Sequence, residues 1–160
     1  MRDWTTDLAQ QGVLTICQRM LDKTGDAILS RRFDDFFDSF TIPTIVETFE
    51  GRRSLDSIEM LKDAFEGVCT HYQALGATDL VRHIVAAQFD GEDTIRLTHE
   101  CRVLSGTQLA QAPFAVYSKI ILKDTTWHIA ESIYILEGAP KYIRALSHGS
   151  ARVANGLSSR

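Results

Sequence analysis

The sequence predicts an α+β fold in which N-terminal helices pack in the concavity of a strongly curved, mainly antiparallel sheet. Two observations carry this. Apolar residues recur at three- and four-residue steps as far as Leu75, the period of helices with one buried stripe. From Leu80 to Leu136 the period drops to two, in four successive stretches divided by polar turns, as half-buried strands require. Helices first and sheet afterwards is the α+β order, and a curled sheet around a long helix buries both stripes.

In chain order, Asp7 to Leu21 carries a stripe through Leu8, Val13, Leu14, Cys17, Met20 and Leu21. Thr6 or Asp7 is placed to cap it. Lys23-Thr24-Gly25 predicts a break with a left-handed glycine. A second helix follows from Asp26 to about Phe40, with Phe33, Phe36, Phe37 and Phe40 on one face. Pro43 ends that helix, and 44–49 is β-rich enough for a first strand. After a turn at Gly51-Arg52-Arg53-Ser54, Ser54 or Asp56 caps a long helix that runs to Leu75 and stops at Gly76. Beyond Gly138, Pro140 to Leu146 reads as a helical turn, and 147–160 as a frayed polar tail. No linker or repeat divides the chain, so one domain is expected over 1–160, with its core at 7–138.

Paired residues of antiparallel strands point to the same side of a sheet, which makes the register a prediction about contacts. A two-residue loop at Asp124-Thr125 sets Leu122 opposite Trp127, Ile120 opposite Ile129, Ser118 opposite Glu131 and Val116 opposite Ile133. Matching the strand before it sets His99 beside Ser118. A short loop at Gly91 sets Val85 beside His99, with His83 on the same inner face and Arg82 on the outer one. His99, Ser118 and Glu131 thus form one polar row on an apolar face. An imidazole beside a carboxylate in a dry cavity moves a proton near neutral pH. The alternative is a His and a Glu that satisfy each other in a closed core.

Composition narrows the partners. The 160 residues are 44% hydrophobic, enough for a sizeable core, and carry 17 Lys and Arg against 21 Asp and Glu, a net charge of −4. No basic run interleaved with aromatics marks a nucleic-acid surface. No apolar stretch is long enough to cross a bilayer, and the charged start of the chain lacks a signal peptide's apolar run. A cytoplasmic protein is expected. Cys17, Cys69 and Cys101 are odd in number and widely spaced, which argues against disulfides and against a zinc cluster. His83, His99 and Glu131 supply ligand types without a metal motif, so neither metal nor cofactor is expected.

The segment Phe40-Thr41-Ile42-Pro43-Thr44-Ile45-Val46 before Gly51, the helix from Ser54, and the closing Trp127-His128-Ile129 after a polar turn resemble the nuclear transport factor 2-like superfamily. This is the cone-shaped, cystatin-like fold shared with ketosteroid isomerase and the SnoaL-like polyketide cyclases. The resemblance spans about Asp7 to Leu136. It implies a pocket between sheet and helices and a homodimer packed through the sheets, but it matches no family catalytic residue. One cone hosts isomerases, dehydratases, cyclases and non-catalytic modules. The expected site therefore has His99 and Glu131 as a proton-transfer pair and Asp34, neighbour of Asp38 on a helix flank, at the mouth. Ser118, His83, Phe33, Phe37, Tyr72, Val116 and Trp127 line it around a small apolar or flat organic molecule. The alternative function is a dimeric binding or assembly module with a closed core. On the outer face, Arg82, Arg96, Glu100, Arg102, Tyr117, Lys119, His128 and Tyr134 mix charge with aromatic surface, as interfaces do.

Overall fold

The computed structural model describes residues 4–136, 142–144 and 146, with side chains from residue 9 onward. The elements are α1 (Trp4–Ser30), α2 (Phe33–Phe37), β1 (Phe40–Thr48), β2 (Gly51–Leu55), α3 (Ile58–Ala74), β3 (Asp79–Phe89), β4 (Thr94–Ser105), β5 (Gln108–Leu109), β6 (Phe114–Lys123) and β7 (Thr126–Ile135). The sheet order is β2-β1-β7-β6-β4-β3, with β5 beside β4, and only β1 with β7 runs parallel. The α+β order and the helices against one face of a mainly antiparallel sheet are as the sequence predicts. Residues 142–144 and 146 are helical, while the predicted tail 147–160 lies outside the described residues.

The helical start differs from expectation. No break occurs at Gly25, which has no positive φ, because the buried stripe continues through Met20, Leu21, Thr24, Ala27 and Ile28 and packing outweighs one unfavourable glycine. The stop comes at Arg31, with φ 57. There Arg32 N–H donates to Ala27 O at 2.9 Å and Arg31 N–H to Ile28 O at 3.3 Å, the two bonds of a Schellman motif. Phe40 belongs to β1 rather than to a helix.

The long helix starts later than expected. Ser54 and Leu55 are taken into β2, leaving Ser57 as the cap, whose hydroxyl accepts from Met60 N–H at 3.2 Å. Gly76 ends it as expected, at φ 67. Core residues form two clusters. One joins the α2 and α3 faces to β1, β2, β4 and β6; the other joins the first half of α1 to Ile95, Leu97, Ile120 and Ile129 of the sheet.

Two bulges position the site. In β3, Ile84 pairs with His99 but Ala86 pairs with Thr98, so Val85 is the extra residue. In β7, Ile129 pairs with Ile120 but Glu131 pairs with Lys119, so Ala130 is extra. An extra residue reverses the inward set on one side of it, since side chains alternate with a period of two. The hairpin register at Leu122 and Trp127 and at Ile120 and Ile129 is as predicted. Beyond Ala130, Ser132 and Tyr134 turn inward in place of Glu131, Ile133 and Ile135. Before Val85, Arg82 and Leu80 turn inward in place of His83 and Val81.

Candidate functional site

The inner face now reads as transverse rows. Arg82 pairs with Cys101 and Cys101 with Phe114; Ile84 pairs with His99, His99 with Val116 and Val116 with Tyr134; Leu97 pairs with Ser118 and Ser118 with Ser132. Between these rows and the helices lies a cavity of about 60 Å³, room for about four waters. Its walls include Arg82, His99, Cys101, Ser118, Ser132, Tyr134 and Tyr142, set among Phe36, Phe65, Phe114, Val116 and other apolar side chains. It is a mostly apolar cavity with a few convergent polar groups, the form small-molecule sites take.

Arg82 is the charged group of this cavity. Its Nη1 donates to the carbonyl of Leu21 at 3.0 Å and to the Thr24 hydroxyl at 2.6 Å, both on α1. Its Nε is fully buried and has no partner among the described residues. Burial works against the guanidinium charge, while Cys101, Tyr72 and Tyr134 would favour it if ionised. They are not ionised at neutral pH. Burial raises the Cys101 thiol despite the opposing pull of Arg82, raises Tyr134, and holds Tyr72 and Tyr142 well above the ordinary phenol. Arginine stays charged in proteins, so among the described residues the cavity wall carries one positive charge, surrounded by neutral dipoles.

His99 is 4% exposed, and its Nδ1 is also buried without a partner among the described residues. Burial first, and the Arg82 charge second, lower its pKa from 6.5 to about 3. It is a neutral imidazole at pH 7, able to donate or accept a hydrogen bond but too weakly basic to hold a proton. The Tyr72 hydroxyl donates to that of Tyr142 at 2.7 Å, and the Tyr142 ring stacks on His71 at 5.0 Å between centroids.

The structure places His99, Ser118 and Val116 of the predicted site on the cavity wall, but not Glu131. The predicted pairing of His99 with Ser118 is replaced by His99 with Val116 and Leu97 with Ser118, a slip of two residues that keeps the inward faces. The Ala130 bulge turns Glu131 outward, where its carboxylate accepts from Arg52 at 2.7 Å and lies 3.8 Å from Lys119. The predicted contact of Ser118 with Glu131 is replaced by Ser118 with Ser132. His83 is exposed on the outer face opposite Glu100, so it does not line the cavity. Asp34 is exposed on α2, in a surface groove with Arg31, Lys62 and Glu66 rather than at the cavity mouth, and Asp38 pairs with Lys23 at 2.7 Å. Phe33 and Phe37 stack on each other at 5.5 Å against the helical core, outside the cavity wall. Tyr72 is buried behind Tyr142, and Trp127 packs near Phe89, with ring centroids 6.0 Å apart. Arg82, Ser132 and Tyr134 are the wall residues that periodicity hides, because each lies beyond a bulge. The usable signal was a lone cation in the apolar run Leu80-Val81-Arg82-His83-Ile84-Val85. Among the described residues no group of His, Cys, Asp and Glu is arranged to hold a metal ion.

No protein-family model matches the chain, and no curated protein does. Solved structures do. A Mycobacterium tuberculosis protein of unknown function, Rv3472, superposes with a TM-score of 0.65 at 11% identity, over 86% of this chain and 90% of that one. An NTF-2 like protein of unknown function from Shewanella oneidensis gives 0.62 at 9% identity, over 77% and 98%. A Nostoc punctiforme domain with a cystatin-like fold gives 0.61 at 14% identity, over 92% and 93%. The chain has the nuclear transport factor 2-like, cystatin-like cone fold. Among the described residues no helix is long and apolar enough to cross a membrane.

Proposed function

We propose that the protein binds a small organic molecule in the cavity inside its cone, with His99, Ser118 and Val116 among the contacting residues. The observation that carries this reading is a cavity walled mainly by apolar side chains in which buried polar atoms, His99 Nδ1 among them, are left without partners. Native interiors rarely leave such atoms unsatisfied, so a ligand that supplies partners is favoured. Proton transfer by a His99 and Glu131 pair is not part of the proposal. The two groups face opposite sides of the sheet, and His99 is held neutral. What the wall offers to catalysis is hydrogen-bond polarisation of a carbonyl by His99, Tyr134 and Ser118, the electrophilic half of isomerase, dehydratase or cyclase chemistry.

The outer sheet face supports a homodimer, since Val81, Val85, Tyr117 and Ile135 are exposed on it, each by 40% or more. Three buried cysteines without disulfides fit a reducing compartment, and we place the protein in the cytoplasm. A non-catalytic dimeric module is the second reading, favoured by the small volume of the cavity. Native mass spectrometry of the freshly purified protein tests both. A dimer that carries a small organic mass, lost in Val116→Phe and Ser118→Leu variants that fill the cavity, is the expected result. A dimer that carries none, and that no member of a fragment library stabilises against heat, selects the module.

A further inference from the structure

We infer that the ligand of the cavity is a small monocarboxylate whose carboxylate is held by Arg82. The inference rests on the reading of the cavity as a ligand site and names the chemical class that site takes.

Arg82 sits on an inward position of β3 only because Val85 is a bulge, and its stem passes over α1 at Gly25, where a Cβ would lie 3.7 Å from Nη1. Two of its five donor hydrogens are used on Leu21 O and Thr24 Oγ1. Those bonds fix the guanidinium plane and leave Nε–H buried and unpaired. No Asp or Glu among the described residues forms an ion pair with it, and the oxygens and sulfur around it belong to neutral Tyr72, Tyr134, Tyr142 and Cys101. A buried cation without a counter-charge is costly, because neutral dipoles replace only part of its hydration. An anionic ligand supplies the missing charge.

The shape of the anion follows from the rest of the wall. Guanidinium recognises planar oxyanions through parallel N–H donors. His99, two residues away across the β3 and β4 pair, adds a neutral ring N–H on the same wall. A second anionic group finds no second cation among the described residues, since Arg82 is the one Lys or Arg of those that line the cavity. The surrounding Phe36, Phe65, Leu61 and Val116 suit an apolar body, which separates an organic acid from an inorganic anion.

Isothermal titration calorimetry at neutral pH, with acetate and propionate, which are close to the cavity in size, set against acetamide and propionamide, tests this. The amides match the acids in shape and lack the charge. The acids are expected to bind at least about tenfold more tightly, as a charge-assisted hydrogen bond in a dry site implies. Arg82→Met is expected to reduce that preference to less than about twofold. Where Arg82→Met does not fold, Arg82→Lys keeps the charge without the fork and is expected to keep only part of the preference. Equal binding of acids and amides overturns the carboxylate assignment and leaves the cavity a ligand site. Chloride or sulfate that competes as well as propionate also overturns it, in favour of an inorganic anion site. Failure of all four probes to bind, in a protein that native mass spectrometry shows to be empty, overturns both the assignment and the ligand reading.

Discussion

The Thr44 hydroxyl of β1 donates to the carbonyl of Ala130 at 3.2 Å. Ala130 is the extra residue of the β7 bulge, without a partner on β6, and Thr44 is 1% exposed. One buried side chain on a parallel neighbour thus satisfies the backbone group that the bulge releases from the ladder. The bulge decides that Ser132 and Tyr134, not Glu131, face the cavity.

Replacing Thr44 by Val keeps the shape and removes this donor. Urea unfolding is expected to report a loss of about 1 kcal/mol, the usual cost of an unmet buried acceptor. Hydrogen exchange at the amides of 129–132 is expected to rise more than at 94–105. Uniform exchange across the sheet counts against a role at the bulge.

His99 predicts an acid-sensitive fold. Its folded pKa of about 3 lies below the ordinary 6.5, so the unfolded chain takes up a proton that the native state refuses. Its contribution is complete above 6.5 and is lost as pH falls from there towards 3, amounting to about 2 kcal/mol at about pH 5. His99→Gln is expected to flatten the stability profile between about pH 7 and pH 5. An unchanged slope places the titration elsewhere.

Asp124 and Thr125 form the two-residue loop of the β6–β7 hairpin with φ 51 and 70, both in the left-handed region that a type I′ turn demands. Thr125 is β-branched and strained there. Thr125→Gly is expected to stabilise the protein by about 1 kcal/mol, read as a higher urea midpoint with an unchanged slope. Gly76→Ala, at φ 67, is expected to do the opposite by a similar amount.

Glu131→Gln removes one of the two carboxylate charges that pair with Arg52 on the outer face, the other being Glu47, and both pairs are partly exposed. Such pairs contribute at most about 1 kcal/mol. The variant is expected to retain both fold and ligand binding. A selective loss of ligand binding with stability intact would return Glu131 to the site.

The legible part of the site was the inward facing of His99, Ser118 and Val116. Their pairing was not, because β4 and β6 are offset by two residues from the predicted register, which keeps the faces and sets His99 opposite Val116 and Leu97 opposite Ser118. His99 and Ser118 lie on β4 and β6, whose alternation runs unbroken through Leu97, His99, Cys101 and Val103 and through Phe114, Val116, Ser118 and Ile120. The illegible part was every residue past a bulge. His83 and Glu131 have the chemistry of a site and Arg82 and Tyr134 the look of an outer face, yet each pair is exchanged by one unpaired residue.

By itself the sequence determined the α+β order, the stripe of α3, the glycine stop at Gly76, the hairpin at Asp124-Thr125 and the inward sets of β4 and β6. These follow from period, turn chemistry and the exclusion of apolar surface from water, all local or nearly so. Only the tertiary structure decided where the ladder skips a residue. A bulge is set by the bend the sheet needs to close around α1 and α3, and by distant groups such as Thr44 that can take up the freed carbonyl. Because strand side chains alternate, each such non-local decision selects which of two adjacent residues faces the cavity. Here the two bulges place an arginine in the cavity and a glutamate outside it.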